Sequence, residues 1–503
     1  MLIPTRSAWR WLATAWFATG WHAAWADDPL GRMVNGLDFD QFVRKTLADY
    51  AVPGAVVAVA SADGTVSVNG YGVRERGRPA AIDPDTRFQI ASMSKFIAAT
   101  AIGTLVDRGV VSWDDPVHGF SAETELAVPY ATDTATLRDY FAHRTGLPAY
   151  TDDLLPALGL SPDELVRRAR FQPFDHSFRS AWAYSNYGIF LGQQSAALAA
   201  GTTAPELLTE SVLRPLGMTR SGPVQGELFK DDNRAAAHNL DGTVMSYENV
   251  DAFSGAGAVV STGADIARWM RMLLAGGSFE GRQVLAKTTV AQMFAASMVE
   301  GAGGPLHDPN AAAGLGCDSY HFLRYRVIEK NGALNGMRTI VTLIPDLAVG
   351  VAVFANKQLT VFPEAVRAEF LEREIGPSGR DLQAQIHAEQ AAWVALLDIP
   401  KPPGDATPMA HDLGAYAGTY DSPLYGPLRV DRAGDGFDVS IDSYPATLTH
   451  WSGDTFMLSF PNPDIPPGLI TFAFDAGAPQ ARGVDGARVP ATLTASYGHF
   501  ARR

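Results

Sequence analysis

Ser92-Met93-Ser94-Lys95 opens an apolar run, Phe96-Ile97-Ala98-Ala99-Thr100-Ala101-Ile102-Gly103-Thr104-Leu105-Val106, which Asp107-Arg108-Gly109 closes. The run predicts a mostly buried helix. Three residues is nearly one helical turn, so Ser92 and Lys95 share a face. A serine hydroxyl is a weak nucleophile and needs a neighbouring base. A lysine amine serves when burial or nearby positive charge lowers its pKa. The helix N-terminus adds free N–H groups where an oxyanion would form. A capping serine and an exposed lysine give the same four letters, so the rest of the chain has to decide.

Upstream, two apolar runs, Ala55 to Ala60 and Thr65 to Val73, flank Asp63-Gly64 and read as a β-hairpin. Downstream, from Asp114 to about Ser254, helices and loops dominate. Gly255-Ala256-Gly257-Ala258-Val259-Val260-Ser261-Thr262 then leads to a helix over Asp265 to Leu274. Strand pattern returns at Tyr325–Lys330, Thr339–Ile344 and Val349–Phe354, and a helix over Pro363 to Ile375 closes the region. Strands, a helical insertion, then strands and a helix make an α+β layout: an antiparallel sheet flanked by helices, with a helical subdomain. A helix over Asp381 to Leu397 and a Pro-rich linker from Pro400 to Pro408 follow. From Asp412 short β segments alternate with Gly, Pro and Asp turns, which predicts a separate all-β domain, a small barrel or sandwich. The expected division is a leader at 1–26, a main domain at 27–377, a helix and linker at 378–411, and the all-β domain at 412–503.

Composition bounds the function. The chain has 503 residues, 47% hydrophobic and 19% charged, as in an ordinary soluble protein with a large core. Arg6 and Arg10, the apolar stretch from Trp11 to Trp25 and Ala24-Trp25-Ala26 before Asp27-Asp28 resemble a secretory signal, which places the mature chain in the periplasm or outside the cell. Its removal takes the net charge from −14 to −16. That balance disfavours nucleic acid as a partner, and no polybasic patch or stable membrane anchor is expected. Cys317 is the single cysteine. No intramolecular disulfide can form, and Gly314-Leu315-Gly316-Cys317 reads as a buried, inert thiol.

Two further motifs follow in order: Tyr184-Ser185-Asn186, a Y-x-N, and Lys330-Asn331-Gly332 at a strand end. With Ser92–Lys95 the set resembles the serine penicillin-recognising enzymes, a β-lactamase-related family. It includes class C β-lactamases, D-Ala-D-Ala carboxypeptidases, and related esterases and D-aminopeptidases. His143-Arg144-Thr145-Gly146-Leu147, Pro215-Leu216-Gly217-Met218, Ser261 to Arg268 and Ala355-Asn356-Lys357 carry the likeness over about residues 40–375. The resemblance implies a β-lactamase/transpeptidase-like fold and a serine hydrolase acting through an acyl-Ser92 intermediate. Lys95 and Tyr184 would share proton transfer, with either as the base. A cation beside the phenol would favour its phenolate. Asn186 would bind the substrate amide or orient Lys95. The N–H groups of Ser92 and Ala333 would form the oxyanion hole. Lys330, with Asn331 and Gly332, would bind substrate, and Lys330 leans toward one with a carboxylate. His143 reads as structural. No metal or cofactor is required.

The third motif in lactamases is usually Lys-Thr-Gly. Asn331 in place of Thr removes a hydroxyl donor and weighs against efficient β-lactam turnover. Short peptides lead as substrates, then esters, then β-lactams. Leu413 to Tyr420 with Tyr425-Gly426-Pro427-Leu428 resembles a lipocalin-like domain appended to some of these hydrolases, where it shapes substrate access or assembly. An oligomer through that domain fits the resemblance. G-x-S-x-G, H-E-x-x-H and P-loop patterns do not occur.

Overall fold

A computed structural model describes residues 38–151, 154–301, 310–395, 401–462, 465–488 and 496–503. The leader proposed at 1–26 lies outside them. The chain begins with helix α1 (Phe39–Asp49), capped by Asp38, and the hairpin β1 (Gly54–Ser61) and β2 (Val66–Gly72). Next come α2 (Ser94–Asp107), α3 (Asn186–Ala199) and α4 (Gly263–Leu274). The sheet resumes with β3 (Met298–Val299), β4 (Ala312–Ala313), β5 (Asp318–Phe322), β6 (Tyr325–Leu334), β7 (Met337–Ile344) and β8 (Val349–Ala355). Helices α5 (Phe362–Glu374) and α6 (Leu382–Ala395) follow.

The strands join in the order β2-β1-β8-β7-β6-β5-β4-β3, and every pairing is antiparallel. The first and last strands of the main domain thus meet in one sheet: Val57 of β1 stands opposite Val353 of β8. Alternation sends Val56, Ala58 and Ala60 of β1 into the core under α2 and α4, and Ala55, Val57 and Val59 into the core under α1 and α5. Both faces are covered, which is why β1, β7 and β8 read as continuous apolar runs rather than alternating ones.

Helix α2 is apolar on nearly every side and buried accordingly. Phe96 meets Trp269 of α4 edge to face at 4.9 Å, and the Trp269 indole donates to Thr100 Oγ1. One of the flanking motifs, Ala355-Asn356-Lys357, turns out to fasten the sheet. Gly54 N donates to Asn356 Oδ1, and Lys357 Nζ donates to the carbonyls of Tyr50 and Ala51.

The C-terminal strands β9 (Gly418–Ser422), β10 (Gly426–Ala433), β11 (Gly436–Ile441), β12 (Tyr444–Ser452), β13 (Thr455–Ser459), β14 (Gly468–Ala473), β15 (Gly483–Ala487) and β16 (His499–Arg502) close into an eight-stranded antiparallel barrel. The Tyr416 ring lies 5.2 Å from both Phe456 and Phe472 in its buried interior. Arg168 Nη1 donates to the Leu424 carbonyl at 2.6 Å and ties the barrel to the helical region.

Candidate active site

Ser92 sits in a 3-10 turn, Ala91–Met93, immediately before α2, not in the α-helix itself. Ala91 is fully buried with φ of +51°. A left-handed non-glycine residue costs roughly 1–2 kcal/mol, so packing holds this turn in place. Part of that packing is Val259, which ends the segment Ser254–Ala258. Ile90 N donates to Val259 O, and Val259 N donates to Ser94 Oγ.

Lys95 is buried, and its Nζ donates to Ser92 Oγ at 3.1 Å, Asn186 Oδ1 at 2.7 Å and the Ala256 carbonyl at 2.6 Å. Three acceptors around one nitrogen is the pattern of an ammonium. Tyr184 OH donates to the same Ser92 Oγ at 2.7 Å. The Tyr184 ring lies between two cations, 4.9 Å from Lys95 Nζ and 5.1 Å from Lys330 Nζ. The nearby charge does not make it a phenolate. Burial pushes the phenol up to about 12, and the attraction of Lys330 only partly offsets it. Of the two candidate bases that the sequence left open, Tyr184 is thus the one that burial holds in its neutral form at rest.

His143 explains how Tyr184 is held. Its Nδ1 accepts from Ser185 N at 3.1 Å, its carbonyl accepts from Ala183 N, and its ring packs 4.7 Å from Tyr184. Burial, then Lys330 and Lys95, drive its pKa well below the usual value, so it is a neutral positioning residue. Ser185 caps α3 through Gly188 N, which sets Asn186 at the first turn, facing Lys95.

β6 brings the third motif. β5 pairs with β6 only as far as Asp318 opposite Glu329, so among the described residues 330–334 ladder on one side only, with β7. The free edge runs past Ser92. Gly332 is required there: a Cβ would lie 2.5 Å from Thr339 Oγ1, 2.6 Å from Ile90 O and 2.9 Å from Ser92 N. Ala333 next to it is exposed. Asn331 pairs with Ile340 and, by strand alternation, points to the face opposite Lys330. It lies outside the hydrogen-bonded cluster of Ser92, Lys95, Tyr184 and Asn186.

Lys330 is 3% exposed, and its Nζ stands 3.4 Å from each oxygen of Asp318. Burial opposes its charge, but Asp318, foremost among its acidic neighbours with Glu300, helps hold the ammonium above its ordinary value. Asp318 and the Ala256 carbonyl are what sequence reasoning missed. The signals were an acid inside the apolar stretch Gly314 to Tyr320, which once buried demands a cation, and the small-residue run Gly255 to Ala258, which admits a close backbone. Cys317 is buried, and burial raises its thiol pKa.

A helix-flanked antiparallel sheet, with Ser-x-x-Lys at the mouth of a buried helix and Tyr-x-Asn and Lys-x-Gly converging on it, defines a protein of the β-lactamase/transpeptidase class. The chain belongs to the beta-lactamase family, whose model matches residues 39–373, and a model described as a domain of unknown function, DUF3471, matches residues 402–487. It is 26% identical over 440 residues to an unguisins hydrolase of Aspergillus campestris, covering 80% of this chain and 78% of the relative. It is 24% identical over 305 residues to the D-alanyl-D-alanine-carboxypeptidase/endopeptidase AmpH of Escherichia coli, covering 57% and 75%. Among solved structures, an octameric penicillin-binding protein homologue from Pyrococcus abyssi superposes with a TM-score of 0.58 at 19% identity, covering 92% of this chain and 98% of that one. A class C beta lactamase from Rhodobacter sphaeroides gives 0.56 at 18% identity, covering 67% and 99%. The chain is thus a β-lactamase-fold protein of a hydrolase family, with the carboxypeptidase/endopeptidase AmpH among its relatives.

Proposed function

We propose that the chain is an exported serine hydrolase that cleaves an amide or ester bond through an acyl-Ser92 intermediate, with a short peptide as the leading substrate. The observation that carries this reading is Ser92 Oγ within hydrogen-bond reach of both Lys95 Nζ and Tyr184 OH, at 3.1 and 2.7 Å. A hydroxyl so placed can pass its proton into the pair as it attacks a carbonyl, and the pair can return it to the leaving group. The amides of Ser92 and Ala333 would receive the oxyanion, Asn186 would hold Lys95, and the free edge of β6 offers backbone groups to an extended substrate. Relatives named as a hydrolase and as a carboxypeptidase/endopeptidase support amide substrates. Export rests on residues 1–26 alone.

The test is intact-protein mass spectrometry of wild type and Ser92→Ala with a fluorescent penicillin, a p-nitrophenyl ester and a short D-Ala-terminated peptide. A transient adduct on Ser92 with product release is expected. A stable adduct would instead point to a penicillin-binding protein that acylates without turnover. No Ser92-dependent adduct or turnover would refute the assignment.

A further inference from the structure

Lys330 is the group that the family resemblance assigns to attracting a substrate carboxylate. In the fold its ammonium already has a counter-ion. Asp318 opens β5 opposite Glu329, one ladder position from Lys330, and both Asp318 oxygens lie 3.4 Å from Lys330 Nζ. The two side chains are 4% and 9% exposed, so water screens the pair little.

The surrounding groups leave the neutralisation intact. Lys95 is occupied by Ser92, Asn186 and Ala256. His143 is neutral, and Tyr184 and the thiol of Cys317 are protonated. Tyr150, which packs 5.2 Å from the Tyr184 ring, adds a phenol and no cation. Glu329 faces away, toward Tyr320, Thr342 and Arg367. Burial, and then the charge of Asp318, raise the carboxyl pKa of Glu300. A substrate carboxylate beside Lys330 would therefore meet Asp318 as a like charge and compete with it for the same ammonium.

We infer that Asp318 is a specificity-determining residue: by pairing with Lys330 it directs the site to acyl donors that are uncharged beside the scissile bond. These are esters and internal peptide amides, in preference to the bond before a free C-terminal carboxylate. The inference rests on Ser92 being the nucleophile. Asp318 touches no reacting atom and acts through Lys330.

A matched pair of depsipeptides tests it: an N-acyl-D-alanyl-D-lactate with its free carboxylate, and the same compound as the methyl ester. Both are cleaved at the same internal ester, and release is followed by chromatography. Wild type is expected to favour the methyl ester in kcat/KM. Asp318→Asn frees the Lys330 charge and should shift the preference toward the carboxylate by roughly tenfold or more, mainly through KM, the scale of a hydrogen bond to a charged group. It should also move the acid limb of kcat/KM to lower pH, because an unpaired Lys330 stabilises the Tyr184 phenolate. Asp318→Glu keeps the charge and should retain the wild-type ratio.

A wild-type preference for the carboxylate overturns the inference even if Asp318→Asn does not fold. So does an Asp318→Asn protein that loses kcat equally on both compounds with its pH limb unmoved, the mark of a purely structural role. In both cases Ser92-dependent turnover survives, so the proposed function stands. Absence of Ser92-dependent turnover on either compound removes the proposed function, and the inference with it.

Discussion

Gly332 packs so closely on the Ser92 turn that a Cβ atom there would stand 2.9 Å from the Ser92 amide nitrogen. The same Cβ would meet Thr339 Oγ1 and Ile90 O at 2.5 and 2.6 Å, so the neighbours have little room to yield. Gly332→Ala is expected to push β6 away from the turn and separate the two amides assigned to the oxyanion. Acylation of Ser92 should slow by roughly 100-fold or more, the scale of one lost oxyanion donor. Overpacking should cost about 1–3 kcal/mol. Stopped-flow acylation and thermal unfolding of the variant check both halves.

Tyr184→Phe keeps the ring that packs 4.7 Å from His143 and 5.2 Å from Tyr150, and deletes only the hydroxyl on Ser92 Oγ. Turnover should fall by about 10²–10⁴-fold, the range of general acid–base catalysis, with the melting temperature close to wild type. Retained turnover in a folded variant would take the phenol out of the proton path.

The resting site carries a protonated Tyr184 and a Lys95 with the three acceptors of an ammonium. One proton must leave this pair before either group can act as base. kcat/KM is therefore expected to rise with pH through the alkaline range. The charge of Lys330 lowers the Tyr184 pKa, so Lys330→Met should move that limb to higher pH. A pH–rate profile of both proteins is the measurement, and a profile flat above neutral pH would contradict the reading.

Glu389 of α6 is buried, and its Oε2 finds no hydrogen-bond partner among the described residues. Burial, and then Glu364, raise its carboxyl from the usual 4.5 to about 7. A folded pKa above the unfolded one gives stability that is fully present below about pH 4.5 and lost as pH rises through 7. Hydrogen exchange over Leu382–Ala395 should accelerate beyond the intrinsic rate between about pH 4.5 and 7 and the excess should level off above that, and Glu389→Gln should abolish it.

Cys317 is 2% exposed, and burial holds its thiol in the unreactive, protonated form. A thiol reagent such as DTNB should leave the native protein unmodified and titrate the one thiol after denaturation. Rapid native labelling would show that the Gly314–Cys317 segment opens.

What the sequence by itself determined is what local pattern and spacing encode. Ser92 and Lys95 are one turn apart, so their meeting needs no long-range information. The apolar runs of β1, β7 and β8 and the all-apolar α2 announce a covered sheet and a buried helix, and the order of the three motifs points to their family. In the barrel, β15 and β16 were not legible, because Gly483-Val484-Asp485-Gly486-Ala487 and His499-Phe500-Ala501-Arg502 carry little strand pattern and are made strands by partners far along the chain. Tertiary structure alone decided the electrostatics of the site. Whether Tyr184 is a phenolate depends on a balance between burial and two lysines delivered by α2 and β6. Whether Lys330 is free depends on Asp318, twelve residues away in sequence and one strand away in space. Charge balance in a buried site sums over neighbours from many elements, and no short stretch of sequence contains that sum.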